Sequence, residues 1–160
     1  MNDTTEQRIR PATIRKTIEV NAPAERAFRV FTGQMGRWWN KQFSINRGIP
    51  QKDVVIEPRS GGHWYEIGED GSKCLWGRVL EWDEPERVSL AWQINSDWNY
   101  DSQFETTLEV LFEERDGITT VTLTHGDLER FGAAVVEQIE RMDGGWGMLL
   151  DGFKREVETH

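Results

Sequence analysis

A chain of 160 residues is long enough to form one domain whose apolar core needs no disulfide or metal. The 28 acidic and 19 basic side chains give a net charge of −9 at pH 7, which repels phosphates and excludes nucleic acid as an expected partner. No run approaches the roughly 18 consecutive apolar residues of a membrane span, and a single cysteine without an apolar N-terminal segment predicts a cytoplasmic protein.

The first third of the chain predicts a tail, a strand and two short helices. Residues 1–12 are polar and predict a flexible tail, so that a single domain covers 13–160. From Thr13, the sequence TIRKTIEV alternates apolar with polar side chains, which is typical of a half-buried strand. Pro23 suits the first turn of the helix that follows, and a second short helix is predicted after Gly33.

The middle of the chain predicts a meander of about six antiparallel strands. Asp70-Gly71 and Asp116-Gly117 are hairpin signals, since both favour a two-residue turn between neighbouring strands. Apolar side chains occupy alternate positions from Phe104 to Phe112, so that one face of that strand is buried. No strand alternates with a helix, which argues against a parallel sheet.

The C-terminal part predicts two helices. A short helix is expected over 132–141, and Asp143-Gly144 is expected to break it, with Asp143 as the N-cap of a terminal helix that runs to Thr159. That helix carries an apolar stripe at helical spacing, formed by Trp146, Leu149, Leu150, Phe153 and Val157. Its four glycines lower its helix propensity, so it depends on packing against the sheet. Because a curled sheet is wider than one helix, a cavity is predicted between them.

Several ordered segments together resemble a known family. They are IEVNAPAERAFRVFTGQMGRWW from Ile18, Gly62 with Asp70-Gly71, GRVLE from Gly77 followed by Pro85, VSLAW from Val88, TTVTLTHG from Thr119, and Gly145-Trp146 with Leu149, Leu150 and Phe153. This set, which extends over 13–157, resembles the SRPBCC or START-like superfamily, in the branch named after the activator of the heat-shock-protein-90 ATPase.

The resemblance implies an α+β helix-grip fold, in which a curved antiparallel sheet of about seven strands wraps around a long C-terminal helix. It also implies a small, mostly apolar ligand in the interior, where a few branches of the superfamily catalyse cyclisation or hydrolysis. Eukaryotic chaperone activators carry a further N-terminal domain that is not expected here, which argues against a chaperone partner. The fold is implied more strongly than the function.

Two histidines are candidates for polar contacts. His125 shares the buried parity of its strand, so its imidazole points inward and either acts as a general acid or base or anchors the strand by internal hydrogen bonds, the favoured interpretation. For His63 two orientations are open, because either His63 and Tyr65 or Trp64 faces the interior. Neither histidine nor cysteine spacing fits a metal site, and no nucleotide-binding glycine motif is present, so no metal and no cofactor are predicted.

Aromatic side chains supply the expected cavity wall. The predicted ligand-binding residues are Trp38, Trp39, Phe43, His63, Tyr65, Trp76, Trp92, His125, Trp146 and Leu150. Trp98 and Tyr100 lie in a polar loop over 95–102, where an exposed aromatic pair predicts either a lid over the cavity or a subunit contact in a homodimer.

Three functions follow from these observations. The favoured one is binding of a small hydrophobic or aromatic molecule in the cavity. A cyclase or hydrolase using His125 requires a second polar group at the imidazole and an open path to solvent. A protein-interaction module acting through the acidic surface requires a filled interior and an exposed apolar patch.

Overall fold

An antiparallel sheet of seven strands forms most of the domain, with the strands in the spatial order β1-β7-β6-β5-β4-β3-β2. The computed structural model describes residues 13–159, and the tail predicted at 1–12 lies outside them. The strands are β1 Ile14–Val20, β2 Gln51–Ile56, β3 His63–Gly68, β4 Lys73–Asp83, β5 Arg87–Trp92, β6 Thr106–Arg115 and β7 Ile118–Gly126. The helices are α1 Ala24–Gly33, α2 Met35–Trp38 and α3 Val135–Thr159, with a 3₁₀ segment at Leu128–Ala134 before α3.

The alternation of apolar and polar residues determines which face of the sheet is buried. One row of paired positions runs across four strands, from Leu90 through Leu108 and His125 to Ile14, and all four side chains are buried. Shifts of register between β2 and β3, β3 and β4, and β4 and β5 increase the curl of the sheet. The result is a concave inner face that is wide enough to hold α3.

One glycine is required by the close approach of two strands. A Cβ atom at Gly77 would overlap the carbonyl oxygen of Ala91 on the neighbouring strand. Only glycine therefore fits at this position, where β4 pairs with the end of β5.

Helix α3 is continuous over 25 residues, so the predicted break at Asp143-Gly144 is wrong. Asp143 does not cap a helix, and its carboxylate instead forms an ion pair with Lys16 Nζ on β1, at 3.0 Å. Met142 and Trp146 on either side of the pair are both buried against the sheet. This packing outweighs the propensity loss of about 1 kcal/mol for each interior glycine.

Phenylalanine side chains fill one end of the trough. Phe31 of α1 contacts Phe112 of the sheet and Phe153 of α3, with ring centroids 5.9 and 5.4 Å apart. Phe28 lies beside Phe112 at 5.2 Å. The apolar face of the C-terminal half of α3 is therefore covered, and the open space lies along its N-terminal half.

The predicted helix-grip fold is confirmed. Seven antiparallel strands curve around a long C-terminal helix, and two short helices follow the first strand. Across residues 13–159, no helix is both long enough and apolar enough to cross a bilayer.

Candidate functional site

A cavity of about 280 Å³ lies between the N-terminal half of α3, the end of β5 and two loops. Its lining residues are Trp39, Phe43, Trp92, Trp98, Arg141, Met142, Gly145, Trp146 and Leu149. All of them are apolar or aromatic except Arg141, which is exposed at the rim. The site is therefore an aromatic pocket with one cation at its edge.

Tryptophan rings pack on one another to form the wall. Trp39 lies 5.9 Å from Trp146 and 4.8 Å from Trp76 between ring centroids. Trp92 lies 6.0 Å from Trp146 and 6.2 Å from Trp98. Contacts at these separations stabilise offset and edge-to-face pairs, so the rings support one another around the cavity.

The indole N–H groups of the wall are all used inside the protein. Trp39 donates to the carbonyl oxygen of Phe43 at 2.9 Å, and Trp92 donates to that of Ile94 at 3.0 Å. Trp98 donates to the carbonyl oxygen of Ser44 at 2.9 Å, and Trp146 donates to Nδ1 of His125 at 3.2 Å. Because an indole has no other polar group, a molecule in the cavity meets only the apolar surface of these rings.

His125 is fully buried behind Trp92 and Trp146. Its Nδ1 accepts from Trp146 and therefore carries no proton, so Nε2 donates to the Thr106 hydroxyl at 2.9 Å. That hydroxyl donates in turn to the carbonyl oxygen of Trp92 at 3.3 Å. Burial lowers the pKa of His125 from 6.5 to about 3, so the ring is neutral at physiological pH.

This geometry matches the anchor interpretation of His125. Thr106 supplies a second polar group beside the imidazole, but the ring has no exposed surface and both of its nitrogens are occupied. An acid or base needs hydrogen-bond reach to a substrate atom, and no such path leads from this ring to the cavity.

Glu66 is a buried carboxylate that sequence reasoning missed. Its Oε1 accepts from the backbone N–H of Ile45 at 2.8 Å and from Trp76 Nε1 at 2.9 Å. Its Oε2 accepts from the Ser44 hydroxyl and from Gln51 Nε2, the latter at 3.5 Å. A buried charge is tolerated when donors surround it in this way, and these bonds hold the segment after Phe43 against the sheet.

Glu66 is linked to two tryptophans of the cavity wall, in each case through one intermediate residue. Ser44 donates to Glu66, and its carbonyl oxygen accepts the indole N–H of Trp98. Trp76, which also donates to Glu66, packs against Trp39. The alternation of the strand was the signal in the sequence that could have identified Glu66. Glu66 is two residues from Trp64, so its side chain faces inward whenever that of Trp64 does.

The structure brings only some of the predicted site residues to the cavity. Those that line it are Trp39, Phe43, Trp92 and Trp146. Those buried behind the wall or in the core are Trp38, Trp76, His125 and Leu150. Whether any of them binds a ligand stays a prediction.

His63 and Tyr65 lie outside the pocket. The side chain of His63 is 61% exposed, with Nδ1 3.9 Å from Glu57 Oε1, and the ring of Tyr65 faces the ammonium of Lys73 at 5.1 Å. Of the two orientations that the sequence left open, the structure therefore has Trp64 facing inward.

Residues on one face of α3 complete the lining. Met142, Gly145 and Leu149 share a helix face with Trp146, so helical spacing from that tryptophan was the signal for them. Arg141 adjoins this face, but nothing in the sequence alone distinguishes an exposed arginine that lines a cavity from any other exposed arginine. Among residues 13–159, no three His, Cys, Asp or Glu side chains are grouped so that they could hold a metal ion.

Trp98 is half buried in the cavity wall, with a backbone φ of 64° in the left-handed region. Tyr100 pairs with Ile94 in an isolated bridge at the base of the same loop. Trp98 is thus part of the wall, and the predictions of a lid or a subunit contact for this loop stay predictions.

Comparison with known proteins identifies the family. The model of the family described as Activator of Hsp90 ATPase homolog 1-like protein matches residues 21–158. Among solved structures, the anthrahydroquino-gamma-pyrone synthase Txn09, complexed with SUM, is 31% identical with a TM-score of 0.65, covering 91% of this chain and 96% of its own. Among curated proteins, none matches significantly.

Two further solved structures share the fold. CalC, a self-sacrificing resistance protein from Micromonospora echinospora, is 26% identical with a TM-score of 0.68, covering 91% of this chain and 93% of its own. The Aha1 dimer from Colwellia psychrerythraea is 15% identical with a TM-score of 0.65, covering 92% and 96%, a likeness of fold alone. Since the family model spans most of the chain, this protein belongs to the Activator of Hsp90 ATPase homolog 1-like family, the branch of the SRPBCC superfamily that its sequence resembles.

Proposed function

We propose that this protein binds a small hydrophobic or aromatic molecule in the cavity between α3 and the sheet. One observation carries the proposal: four tryptophans line a cavity of about 280 Å³, and the indole N–H of each is used in a hydrogen bond within the protein. Moving an apolar molecule onto this surface is favourable by about 25 cal/mol for each Å² removed from water. Because the rings are already packed, little side-chain freedom is lost on binding.

The size of the cavity indicates the size of the ligand. A dry apolar cavity of about 150 Å³ is known to hold benzene. The present cavity of about 280 Å³ is nearly twice as large, which favours a molecule of two or three fused rings. Txn09 is 31% identical to this protein over nearly the whole chain, and its name describes it as an anthrahydroquino-gamma-pyrone synthase. That name supports the same class of ligand, a polycyclic aromatic molecule.

The alternatives receive less support. A cyclase or hydrolase that uses His125 has no access to that imidazole from the cavity. A protein-interaction module was expected to have a filled interior, whereas the space beside α3 is open. We therefore keep ligand binding as the proposal. The single cysteine supports a cytoplasmic location, and the net charge of −9 argues against nucleic-acid partners.

Two neighbouring glycines of α3 allow a matched test. Gly145 lines the cavity, and a Cβ atom there would meet only the Phe43 ring at 3.7 Å, an ordinary contact, so Gly145→Leu projects its side chain into the cavity. Gly144 is exposed with no atom within 4 Å of a Cβ, so Gly144→Leu gains the same helix propensity outside the cavity.

Titration with an uncharged two-ring probe, 2-naphthamide, measures the difference. We expect a change in tryptophan fluorescence and heat of binding for the wild type and Gly144→Leu, and binding at least about 10-fold weaker for Gly145→Leu, since the leucine occupies the space of the probe. Equal binding by both variants, or no response of the wild type to any apolar probe, would refute the proposal.

A further inference from the structure

We infer that Arg141 makes the cavity selective for aromatic carboxylates, that is, for ligands with an apolar ring body and one anionic group at the rim. The inference rests on the proposed function, since it specifies which aromatic molecules the cavity prefers. It depends on three properties of the site, taken over residues 13–159: the guanidinium has no partner, the side chains of the wall offer no other free donor, and the net charge of the chain is negative.

The guanidinium of Arg141 has no partner within residues 13–159. Asp143, two residues further on, is engaged by Lys16 at 3.0 Å. Glu137 lies one turn earlier, at the spacing that favours an ion pair on a helix, yet no ion pair forms between them in the described part of the chain. In a chain with 28 acidic residues, this cation is left available at the mouth of the cavity.

Among the described residues that line the cavity, Arg141 is also the one whose side chain has free donors. The four indole N–H groups of the wall are bonded internally, and both nitrogens of His125 behind it are occupied. A polar group buried elsewhere in the cavity would lose its water without replacement, at a substantial free-energy loss. The polar end of a ligand therefore belongs at the rim, where a guanidinium binds a carboxylate through two parallel hydrogen bonds.

The charge at the rim decides between anions and cations. A cage of aromatic rings by itself attracts cations through the ring faces, so a substituted ammonium is the competing ligand. The guanidinium beside the rings repels such a cation. The chain as a whole, with a net charge of −9, repels anions, so preference for an anion should come from Arg141 and disappear with it.

Three probes with the same ring system separate these cases: 2-naphthoate, the uncharged 2-naphthamide and the cationic 2-naphthylmethylammonium. By calorimetry at low ionic strength, we expect the wild type to bind the carboxylate about 10-fold more tightly than the amide, as a partly exposed charged hydrogen bond allows. Added salt at about 0.5 M should reduce this ratio and leave the binding of the amide unchanged.

Arg141→Gln is the decisive variant, and Arg155→Gln is its matched control. Arg155 is exposed on the same helix, 14 residues away or roughly 21 Å along the axis at ~1.5 Å per residue, and does not line the cavity. We expect Arg141→Gln to bind the carboxylate no better than the amide while its affinity for the amide stays within about twofold. Arg155→Gln should bind all three probes as the wild type does.

The outcomes distinguish the two proposals. If the amide binds but the carboxylate gains nothing from Arg141, the selectivity is wrong and the cavity still binds aromatic molecules. If the ammonium probe binds most tightly, the selectivity is likewise overturned, in favour of an aromatic cation site. If none of the three probes binds the folded wild type, the proposed function falls and the selectivity falls with it.

Discussion

The buried imidazole of His125 should make the stability of this protein depend on pH. Burial lowers its pKa from 6.5 to about 3. Well above pH 6.5 the ring is neutral in both the folded and the unfolded chain, so it contributes nothing to the pH dependence there. Between pH 6.5 and 3 the unfolded chain binds a proton that the folded chain excludes, so a falling pH favours unfolding.

The size of the effect follows from the shift of the pKa. Each unit of pH in this window is worth about 1.4 kcal/mol. His125 alone should therefore lower the free energy of unfolding by about 2.5 kcal/mol between pH 7.0 and 4.5, and by about 4 kcal/mol once pH 3 is reached. Against a typical stability of about 5–15 kcal/mol, that loss is large enough to measure.

Urea unfolding of the wild type and His125→Gln at pH 7.0, 5.5 and 4.5 tests this prediction. Glutamine does not titrate, yet it can accept from Trp146 and donate to Thr106. The variant should therefore lose about 2.5 kcal/mol less than the wild type between pH 7.0 and 4.5. His63→Gln controls for the removal of an exposed imidazole.

Parallel loss of stability in the wild type and His125→Gln would show that the imidazole is not sealed from protons. A second measurement does not depend on the variant. The NMR signal of the His125 ring should keep its neutral chemical shift from pH 7 to pH 4.5, and a titration within that range would refute the same reasoning.

The remaining predictions concern helix α3 and Glu66, and urea unfolding measures them all. Gly144→Ala should raise the free energy of unfolding by about 1 kcal/mol, because a Cβ there meets no atom within 4 Å. Gly152→Ala should lower the free energy of unfolding, because the Cβ would lie 2.9 Å from the Trp38 carbonyl oxygen. Equal shifts for the two variants would contradict this reasoning. Glu66→Gln should lower the free energy of unfolding by about 1–3 kcal/mol, because the amide nitrogen cannot accept from the surrounding donors. Glu69 is exposed, and a loss for Glu66→Gln no larger than that for Glu69→Gln would show that the hydrogen bonds to Glu66 are dispensable.

Much of the fold could be predicted because its elements bury one face each. In β6 and β7 the apolar residues occupy alternate positions, and Leu108 and His125 pair across the strands on the same inner face. The stripe from Trp146 to Val157 likewise indicates which side of α3 is covered. Periodicity of this kind lies within one segment, so the sequence alone contains it.

The inner face of β3 could not be predicted, because aromatic residues occupy both parities of HWYEIG. The structure has Trp64 and Glu66 inside and Tyr65 at intermediate exposure. What makes a buried glutamate acceptable is a set of donors from the distant segment 44–51 and from Trp76. A local pattern cannot report donors that arrive from elsewhere in the chain.

The break expected at Asp143-Gly144 was wrong for a related reason. Aspartate followed by glycine is a helix-end signal when only local preferences are weighed. Burial of Met142 before the pair and Trp146 after it keeps the helix continuous. The side chain expected to cap the helix pairs with Lys16, on a strand that is remote in sequence.

The position of the cavity depends on volumes that no pattern encodes. Phe28 and Phe31 of α1 fill the trough beside the C-terminal half of α3, whereas beside the N-terminal half Trp39 and Trp92 pack against Trp146 and a cavity lies between these rings and Trp98. A space lined by flexible side chains would close, because protein interiors pack to high density. Here each wall tryptophan is held by ring contacts and by a hydrogen bond from its indole N–H to another group of the protein. The bonds that leave the wall without free donors therefore also keep it open, which is why a single guanidinium at the rim has so much influence on what can bind.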